Sequence, residues 1–315
     1  MTIPPRCPLC GRVTRLRLRS RDYHVGRPGE HEVWQCPGCG LGQTRPLLDE
    51  VARQAAYPTD YACFRQLHRP ATGWRRRLGA TALRGFGYDT ADARPLPGPL
   101  AGAAAVLRGW TWQPPPPPPG RLLDVGCGSG AYGVSLLALG WQVDGIEPDP
   151  EAAARASEAG LRVQNCLLEQ AILPAAGYDV ITLWHVLEHL DDAVAGLRHL
   201  YPALRPGGLL IVETPNLAAL MARLTGPYWF HLDLPRHRLH FTPVSLRLAL
   251  EQAGFRVQRL RHIPNPHGLA GALAYRLGRS AVRWWPPVQM VGWAAGVVAA
   301  TLGRGDVIRA VATRG

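Results

Sequence analysis

The chain has 315 residues, of which 47% are hydrophobic and 18% are charged, and it carries a formal net charge of +12. This length allows about two domains, and the composition excludes a collagen, a coiled coil, a wholly disordered chain and a small disulfide-stabilised protein. All 35 basic residues are Arg, which indicates a compositional bias that replaces Lys by Arg. The net charge of +12 is therefore weaker evidence for a polyanionic partner than the same charge would ordinarily be.

Two pairs of cysteines stand near the start of the chain, Cys7 with Cys10 and Cys36 with Cys39. Each pair lies in a C-P-x-C-G sequence, whose tight turn directs two thiolates at one tetrahedral ion. The chain opens without an apolar stretch, so we expect no secretory signal and a reducing, cytoplasmic location, where metal ligation is favoured over disulfides. The spacing predicts a structural zinc site in a zinc-ribbon-like module at residues 1–46, with an iron–sulfur centre or free thiols as alternatives.

The rest of the chain divides into three further zones by composition. Residues 47–113 mix helical stretches with basic runs and are expected to form a helical connector. Residues 114–119 are consecutive prolines, a stiff spacer that neither a helix nor a central strand accommodates. In residues 120–315, strand and helix signals alternate, which favours a parallel sheet covered by helices.

Hydrophobic patterns place the elements of this last zone in chain order. Strands are predicted at residues 122–125, 142–146, 161–164, 178–184, 209–213, 255–263 and, as an edge strand, 306–313. Helices are predicted after a glycine-rich turn, after Asp149, over about Asp191–Leu204 with Pro206–Gly208 as the stop, and from Thr242 to Gly254.

The glycine-rich turn follows the first of these strands and contains Gly126, Gly128 and Gly130. Glycines let the backbone bend sharply and approach a ligand, and the start of the next helix offers free N–H groups. Glu147 ends the second strand, where a carboxylate can accept hydrogen bonds from both hydroxyls of a ribose. Strand, turn, helix, strand and terminal acid together predict a site for an adenosine-containing ligand.

These residues resemble the class I S-adenosylmethionine-dependent methyltransferases, together with the segments Tyr178–Ile181, His185–Leu190 and Leu204–Gly208. The resemblance covers about residues 120–315. It implies a Rossmann-like, doubly wound α/β sheet of seven strands, the last one antiparallel, and S-adenosyl-L-methionine as cofactor. It also implies the cofactor contacts: Asp124, Gly126, Cys127, Gly128 and Gly130 at the methionine end, Glu147 at the ribose, Leu167 and Leu168 beside the adenine, and Trp184 and His185 beside the methionine moiety.

Methyl transfer to oxygen or carbon also requires removal of a proton, and histidine titrates near neutrality. We expect His231 or His237 to be the base, with His185 nearer the cofactor. The alternatives are a packing or backbone-bonding role for His237 and a helix-capping role for His189. In some members of the family an E-x-x-E-H run binds a divalent metal, but His185 stands here in place of the first Glu, so no catalytic metal is expected.

The four-cysteine module resembles that of bacterial methyltransferases for sugars and small molecules. We therefore expect O- or C-methylation of a small-molecule, sugar or lipid-linked acceptor. One alternative is an RNA methyltransferase that uses the zinc module and arginines to bind RNA. Arg15–Arg19 place three arginines on one strand face, which is either a phosphate-binding ridge, for RNA or for a nucleotide- or lipid-linked sugar, or a solvated edge that discourages strand pairing. The other alternative is a non-catalytic scaffold that binds S-adenosylmethionine.

An insertion at residues 264–305 separates the last two predicted strands. Its apolar stretch Val288–Leu302 is shorter than the ~20 residues that a membrane-spanning helix needs. Three interpretations of residues 266–303 remain open: a lid over the acceptor, a peripheral contact with the inner face of the membrane, and a homodimer contact.

Overall fold

A computed structural model describes residues 4–57, 73–89 and 113–315. Residues 58–72 and 90–112 of the expected connector lie outside the described residues. The strands are β1 (Arg15–Arg21), β2 (Glu30–Gln35), β3 (Gly42–Arg45), β4 (Arg121–Val125), β5 (Gln142–Ile146), β6 (Arg162–Gln164), β7 (Tyr178–Trp184), β8 (Leu204–Pro215), β9 (Leu239–His240), β10 (Phe255–Ile263) and β11 (Val307–Arg314). The α-helices are α1 (Glu50–Ala55), α2 (Gly73–Gly85), α3 (Ala131–Leu137), α4 (Pro150–Glu158), α5 (Ala193–Leu200), α6 (Leu220–Thr225), α7 (Pro243–Gln252), α8 (His267–Arg276) and α9 (Pro286–Thr301).

The described strands form two sheets. The smaller is antiparallel and has the order β1-β2-β3-β9. The larger has seven strands in the order β10-β11-β8-β7-β4-β5-β6. In it β4, β5 and β6 are parallel, whereas β11 runs antiparallel to both β8 and β10. The predicted Rossmann-like sheet with an antiparallel last strand is confirmed.

The chain separates into two compact units. The first contains Met1–Tyr61, Leu173–Ala176 and Ile181–Gly315, and the second contains Ala62–Ile172 and Gly177–Val180. Within the first unit, β3 of the cysteine module pairs with β9 from the second half of the chain. The cysteine module is therefore built into the same unit as the later strands of the large sheet.

In the second unit, β4 and α4 form where the sequence predicts a strand and a helix. The side chains of Leu122 and Leu123 in β4 are fully buried. The helix predicted after Asp149 is confirmed as α4, because the Asp149 carboxylate accepts a hydrogen bond from the Ala152 N–H at 2.8 Å and Pro150 occupies its first turn.

The helix predicted over about Asp191–Leu204 is shorter than expected. It ends as α5 at Leu200 and continues as a single 3₁₀ turn, Tyr201–Ala203. Pro202 has no N–H to donate, which ends the α-helical ladder. Pro206–Gly208 lie inside β8, ahead of Leu209, where pairing with β11 begins. Pro206 has no N–H, but at this position it loses no hydrogen bond to β11.

The insertion folds into α8, a 3₁₀ helix at Ser280–Trp284, and α9. The apolar stretch predicted at Val288–Leu302 lies mostly in α9. Among the residues that the structure describes, no helix combines the length and the apolar character needed to cross a membrane.

Asp306, which precedes β11, is completely buried. Trp229 Nε1 donates a hydrogen bond to its Oδ1 at 2.7 Å, and Oδ2 has no partner in the described part of the chain. Burial raises the pKa of Asp306 to about 7, although the Trp229 hydrogen bond acts in the opposite direction. Folding therefore favours the protonated carboxyl.

We expect Asp306→Asn to change the pH dependence of stability. A carboxyl whose pKa is higher in the folded than in the unfolded state stabilises the fold at low pH, and this stabilisation is lost as pH rises through about 7. The neutral amide keeps an acceptor for Trp229, so the free energy of unfolding of the variant relative to wild type should rise by a few kcal/mol between about pH 5 and pH 8. Urea unfolding across this range measures it. Glu169→Gln, at an exposed carboxylate, is the control, and a parallel pH dependence in all three proteins would contradict the prediction.

Candidate active site

The glycine-rich turn connects β4 to α3. Gly126, Gly128 and Gly130 have φ angles of 66°, 54° and 81°, a region that other residues adopt only with strain. The N–H groups of Gly126 and Cys127 donate to the Ile146 carbonyl at 2.8 and 3.1 Å. The turn is thus fixed to the end of β5, as expected for two parallel strands whose carboxyl ends meet.

Glu147 lies directly after β5 and is 4% exposed. Its Oε2 accepts from the Gly128 N–H at 2.8 Å and its Oε1 accepts from the Asp149 N–H at 2.9 Å. Burial raises the pKa of Glu147, and these backbone donors oppose the rise. A buried carboxylate held beside a glycine turn fits the expected acceptor for a pair of ribose hydroxyls.

Asp124 and Cys127 are further expected cofactor residues at the same turn. Asp124 is buried at the end of β4. Cys127 points its thiol at Gly145, where an added Cβ would come within 2.6 Å of Sγ, so Cys127 offers a ligand its backbone only. Leu168 is buried and Leu167 is half-buried. Their expected position beside an adenine stays a prediction.

In the first unit, charged side chains surround His185, which follows Trp184 at the end of β7. His185 has a φ of 55°, which is uncommon for a residue with a side chain. Its Nδ1 lies 3.2 Å from Glu188 Oε1 and its Nε2 lies 3.3 Å from Glu213 Oε1. Partial burial opposes protonation, but the two carboxylates raise the pKa of His185 to about 10. The ring is therefore an imidazolium at neutral pH, which suits positioning rather than proton acceptance.

The carboxylates around His185 are themselves fixed. Arg309 Nε and Nη2 both lie 2.6 Å from Glu213 Oε2, and the guanidinium stacks 5.0 Å above the half-buried Trp184 ring. Glu188 is 1% exposed. Burial would raise its pKa, but the hydrogen bond and charge of His185 lower the pKa of Glu188 to about 2, so it stays ionised. Its Oε2 has no hydrogen-bond partner among the described residues.

His237 is buried between two carboxylates. Its Nδ1 lies 3.0 Å from the His231 carbonyl oxygen, so Nδ1–H donates to that oxygen. Nε2 lies 3.8 Å from Asp233 Oδ2 and 4.0 Å from Glu188 Oε1. Burial alone would favour a protonated Asp233, yet His237 and Arg236 hold the pKa of Asp233 well below its usual range.

The other histidines of this region are neutral. Burial, followed by the charge of His185, holds the pKa of His231 well below 6.5. The Nε2 atom of His231 has no hydrogen-bond partner in the described chain. Partial burial and the charge of His237 lower the pKa of His189 to about 4. His189 does not cap the next helix, because Asp192 does so by accepting from the Ala195 N–H at 2.9 Å.

The structure also brings Glu188, His189 and His237 together, with one potential ligand atom from each within 4.8 Å of the others. Two imidazoles and one carboxylate are ligands that a divalent transition-metal ion takes. Sequence reasoning missed Glu213, Arg309 and Asp233. The available signal was Glu213 at the end of the fifth predicted strand, where functional side chains of α/β sheets gather.

The four cysteines form one cluster in the module. The Sγ atoms of Cys7 and Cys39 lie 3.4 Å apart, as do those of Cys10 and Cys36, and all four lie within 4.8 Å of one another. Tetrahedral thiolates at 2.3 Å from zinc stand about 3.8 Å apart, which these distances approach. The donor set and geometry thus fit a structural zinc ion.

Arg15–Arg19 do not form the expected arginine face. A bulge between Leu16 and Leu18 breaks the alternation of β1. Arg17 donates to Gln35 Oε1 and to the Leu217 carbonyl, and Arg19 pairs with Glu32 at 2.9 Å. The expectation of a shared ridge was therefore wrong.

The chain is similar to known methyltransferases. A family model described as a methyltransferase domain matches residues 103–260. The ubiquinone biosynthesis O-methyltransferase of Methylobacterium nodulans is 32% identical over 225 residues, which cover 66% of this chain and 82% of that protein. The enzyme of the same name from Azorhizobium caulinodans is 30% identical over 190 residues, covering 56% and 67%. A solved structure from Thermotoga maritima, described as an S-adenosylmethionine-dependent methyltransferase and possible histamine N-methyltransferase, has a TM-score of 0.44 at 19% identity and covers 63% of this chain and 84% of its own.

The variant Glu147→Gln tests whether Glu147 binds the ribose of the cofactor. The amide keeps the shape but loses the charge that strengthens hydrogen bonds to hydroxyls, so affinity for S-adenosylhomocysteine should fall roughly tenfold. Isothermal titration calorimetry measures the affinity. Glu151→Gln, on the exposed side of α4, should bind as wild type does. Equal affinity of the Glu147 variant and wild type would remove Glu147 from the cofactor site.

Proposed function

The chain belongs to the methyltransferase-domain family and is an S-adenosylmethionine-dependent methyltransferase, and we propose that it methylates a hydroxyl group of a small-molecule acceptor. The observation that carries this proposal is the name of its curated relatives, which are O-methyltransferases of ubiquinone biosynthesis. The cofactor supplies an electrophilic methyl group. The protein's own residues then have to orient the acceptor hydroxyl and accept its proton.

We propose His237 as that base. Its Nδ1–H donates to the carbonyl of His231, which leaves Nε2 as the ring atom that takes the proton, and Asp233 Oδ2 and Glu188 Oε1 lie 3.8 and 4.0 Å from Nε2. His231 remains the second candidate, although its low pKa makes it a weaker base. His185, already an imidazolium, is proposed to hold Glu188 and Glu213 in place, beside the methionine moiety.

Incubation with methyl-labelled S-adenosylmethionine tests the acceptor class. Purified protein is supplied with the small-molecule, lipid and RNA fractions of a cell extract. We expect label as a methyl ether, identified by mass spectrometry, in the small-molecule or lipid fraction. Label in RNA would support the RNA methyltransferase instead. Cofactor binding with no labelled fraction would indicate the non-catalytic scaffold.

On the labelled acceptor, His237→Ala should lower turnover by about a hundredfold or more, because proton removal is lost, while affinity for S-adenosylhomocysteine stays unchanged. His231→Ala is measured in parallel, and His199→Ala, on α5, is the control. Wild-type turnover in both the His237 and His231 variants would remove the base assignment.

We further propose that the four cysteines hold a structural zinc ion in a reducing cytoplasm. Purified protein should contain about one zinc ion per chain and no visible absorption from an iron–sulfur centre. Cys36→Ser should lose the metal and unfold at lower temperature, because metal binding contributes to folding. Cys166→Ser, outside the cluster, should keep both. Wild-type protein that contains no metal and is as stable as the zinc-loaded protein would contradict the proposal.

A further inference from the structure

Helix α9 packs through its smallest residues. Gly292, Gly296 and Ala299 are its buried positions. A Cβ added at Gly292 would lie 2.6 Å from the Pro266 carbonyl oxygen, and one at Gly296 would lie 2.7 Å from the Asn265 carbonyl oxygen. The backbone at the start of the insertion therefore fixes which side of α9 faces the protein.

The solvent side of α9 and the residues at its two ends expose large apolar side chains. We call these residues the apolar face: Trp284, Trp285, Met290, Val291, Val298 and Leu302, which are 60%, 54%, 72%, 60%, 54% and 65% exposed. A surface helix of a soluble protein ordinarily turns such residues inward. A contiguous segment that turns them outward indicates a surface that something else covers.

The charge of the insertion indicates what kind of partner covers the apolar face. Residues 264–305 contain no Asp or Glu, and they carry four arginines, Arg276, Arg279, Arg283 and Arg304. Arg276, Arg279 and Arg304 are exposed. In a twofold dimer the apolar face would meet its own copy, which brings the same exposed positive charges together. An anionic partner lowers this repulsion, whereas a second copy increases it.

We propose that the apolar face docks on the anionic lipid surface of a membrane. Tryptophans are suited to the boundary between hydrocarbon and head groups, and arginines attract anionic lipids. The 16 residues of α9 span about 24 Å, less than the ~30 Å of a bilayer core, so the helix lies along the surface and does not cross it. This proposal stands independently of the acceptor and of the base.

Co-sedimentation of the full chain with vesicles tests the proposal. One set contains phosphatidylglycerol and phosphatidylcholine, and the other contains phosphatidylcholine only. We expect wild type to pellet with the anionic set, less so at high salt. The double variant Met290→Glu/Val291→Glu should lower the partition coefficient at least roughly tenfold, because charges replace buried apolar contacts. Arg276→Gln/Arg279→Gln should lower it by a similar factor on anionic vesicles.

Val244→Glu is the matched control, since Val244 is 62% exposed on α7, and it should bind vesicles as wild type does. Circular dichroism and zinc content check that each variant is folded, and the arginine variant preserves the apolar face if the glutamate variant does not fold. Wild type in the supernatant with both vesicle sets overturns the proposal. A dimer that Met290→Glu/Val291→Glu dissociates, without vesicle binding, also overturns it and assigns the face to a second copy.

Discussion

The first unit depends on one buried ion pair. The guanidinium of Arg236 is completely shielded from solvent, as is the carboxylate of Asp22, and the two meet at 2.8 Å. Arg236 also donates to Asp233 at 2.6 Å and to the Ala56 carbonyl at 3.1 Å. A buried cation is tolerated only when such partners satisfy it, and removal of one leaves an unpaired charge that typically costs several kcal/mol. This constraint ties the module, which carries Asp22, to the loop that carries His237.

The same constraint sets the charge around His237. Four carboxylates lie in this part of the unit, on Asp22, Asp233, Glu188 and Glu213, and three cations lie against them, on Arg236, Arg309 and His185. The carboxylates outnumber these cations by one, and Arg236 and Arg309 reach them from positions far along the chain. The fold therefore determines which charges lie around the loop that carries His237.

The sequence predicts what local signals determine. Strands of the large sheet, the turn at Gly126–Gly130 and the cap at Asp149 are encoded within a few residues, and they occur where expected. The bulge in β1 and the protonation of His185 could not be predicted. The state of His185 depends on Glu213 and, through it, on Arg309, 96 residues further along the chain. A sequence pattern shows which residues can titrate, but only the fold shows which charges meet them.

The absence of Lys connects these observations. An Arg side chain stays protonated at any physiological pH, so it cannot accept a proton and its charge must be matched wherever it is buried. Among the described residues, the buried arginines Arg236 and Arg309 each meet a carboxylate. This leaves the histidines as the proposed proton acceptors. Arg276 and Arg279 lie at the surface, where their charge is available to an anionic partner. Arginine thus occurs in two settings, paired with carboxylates around the proposed base and exposed in the insertion that also carries the apolar face.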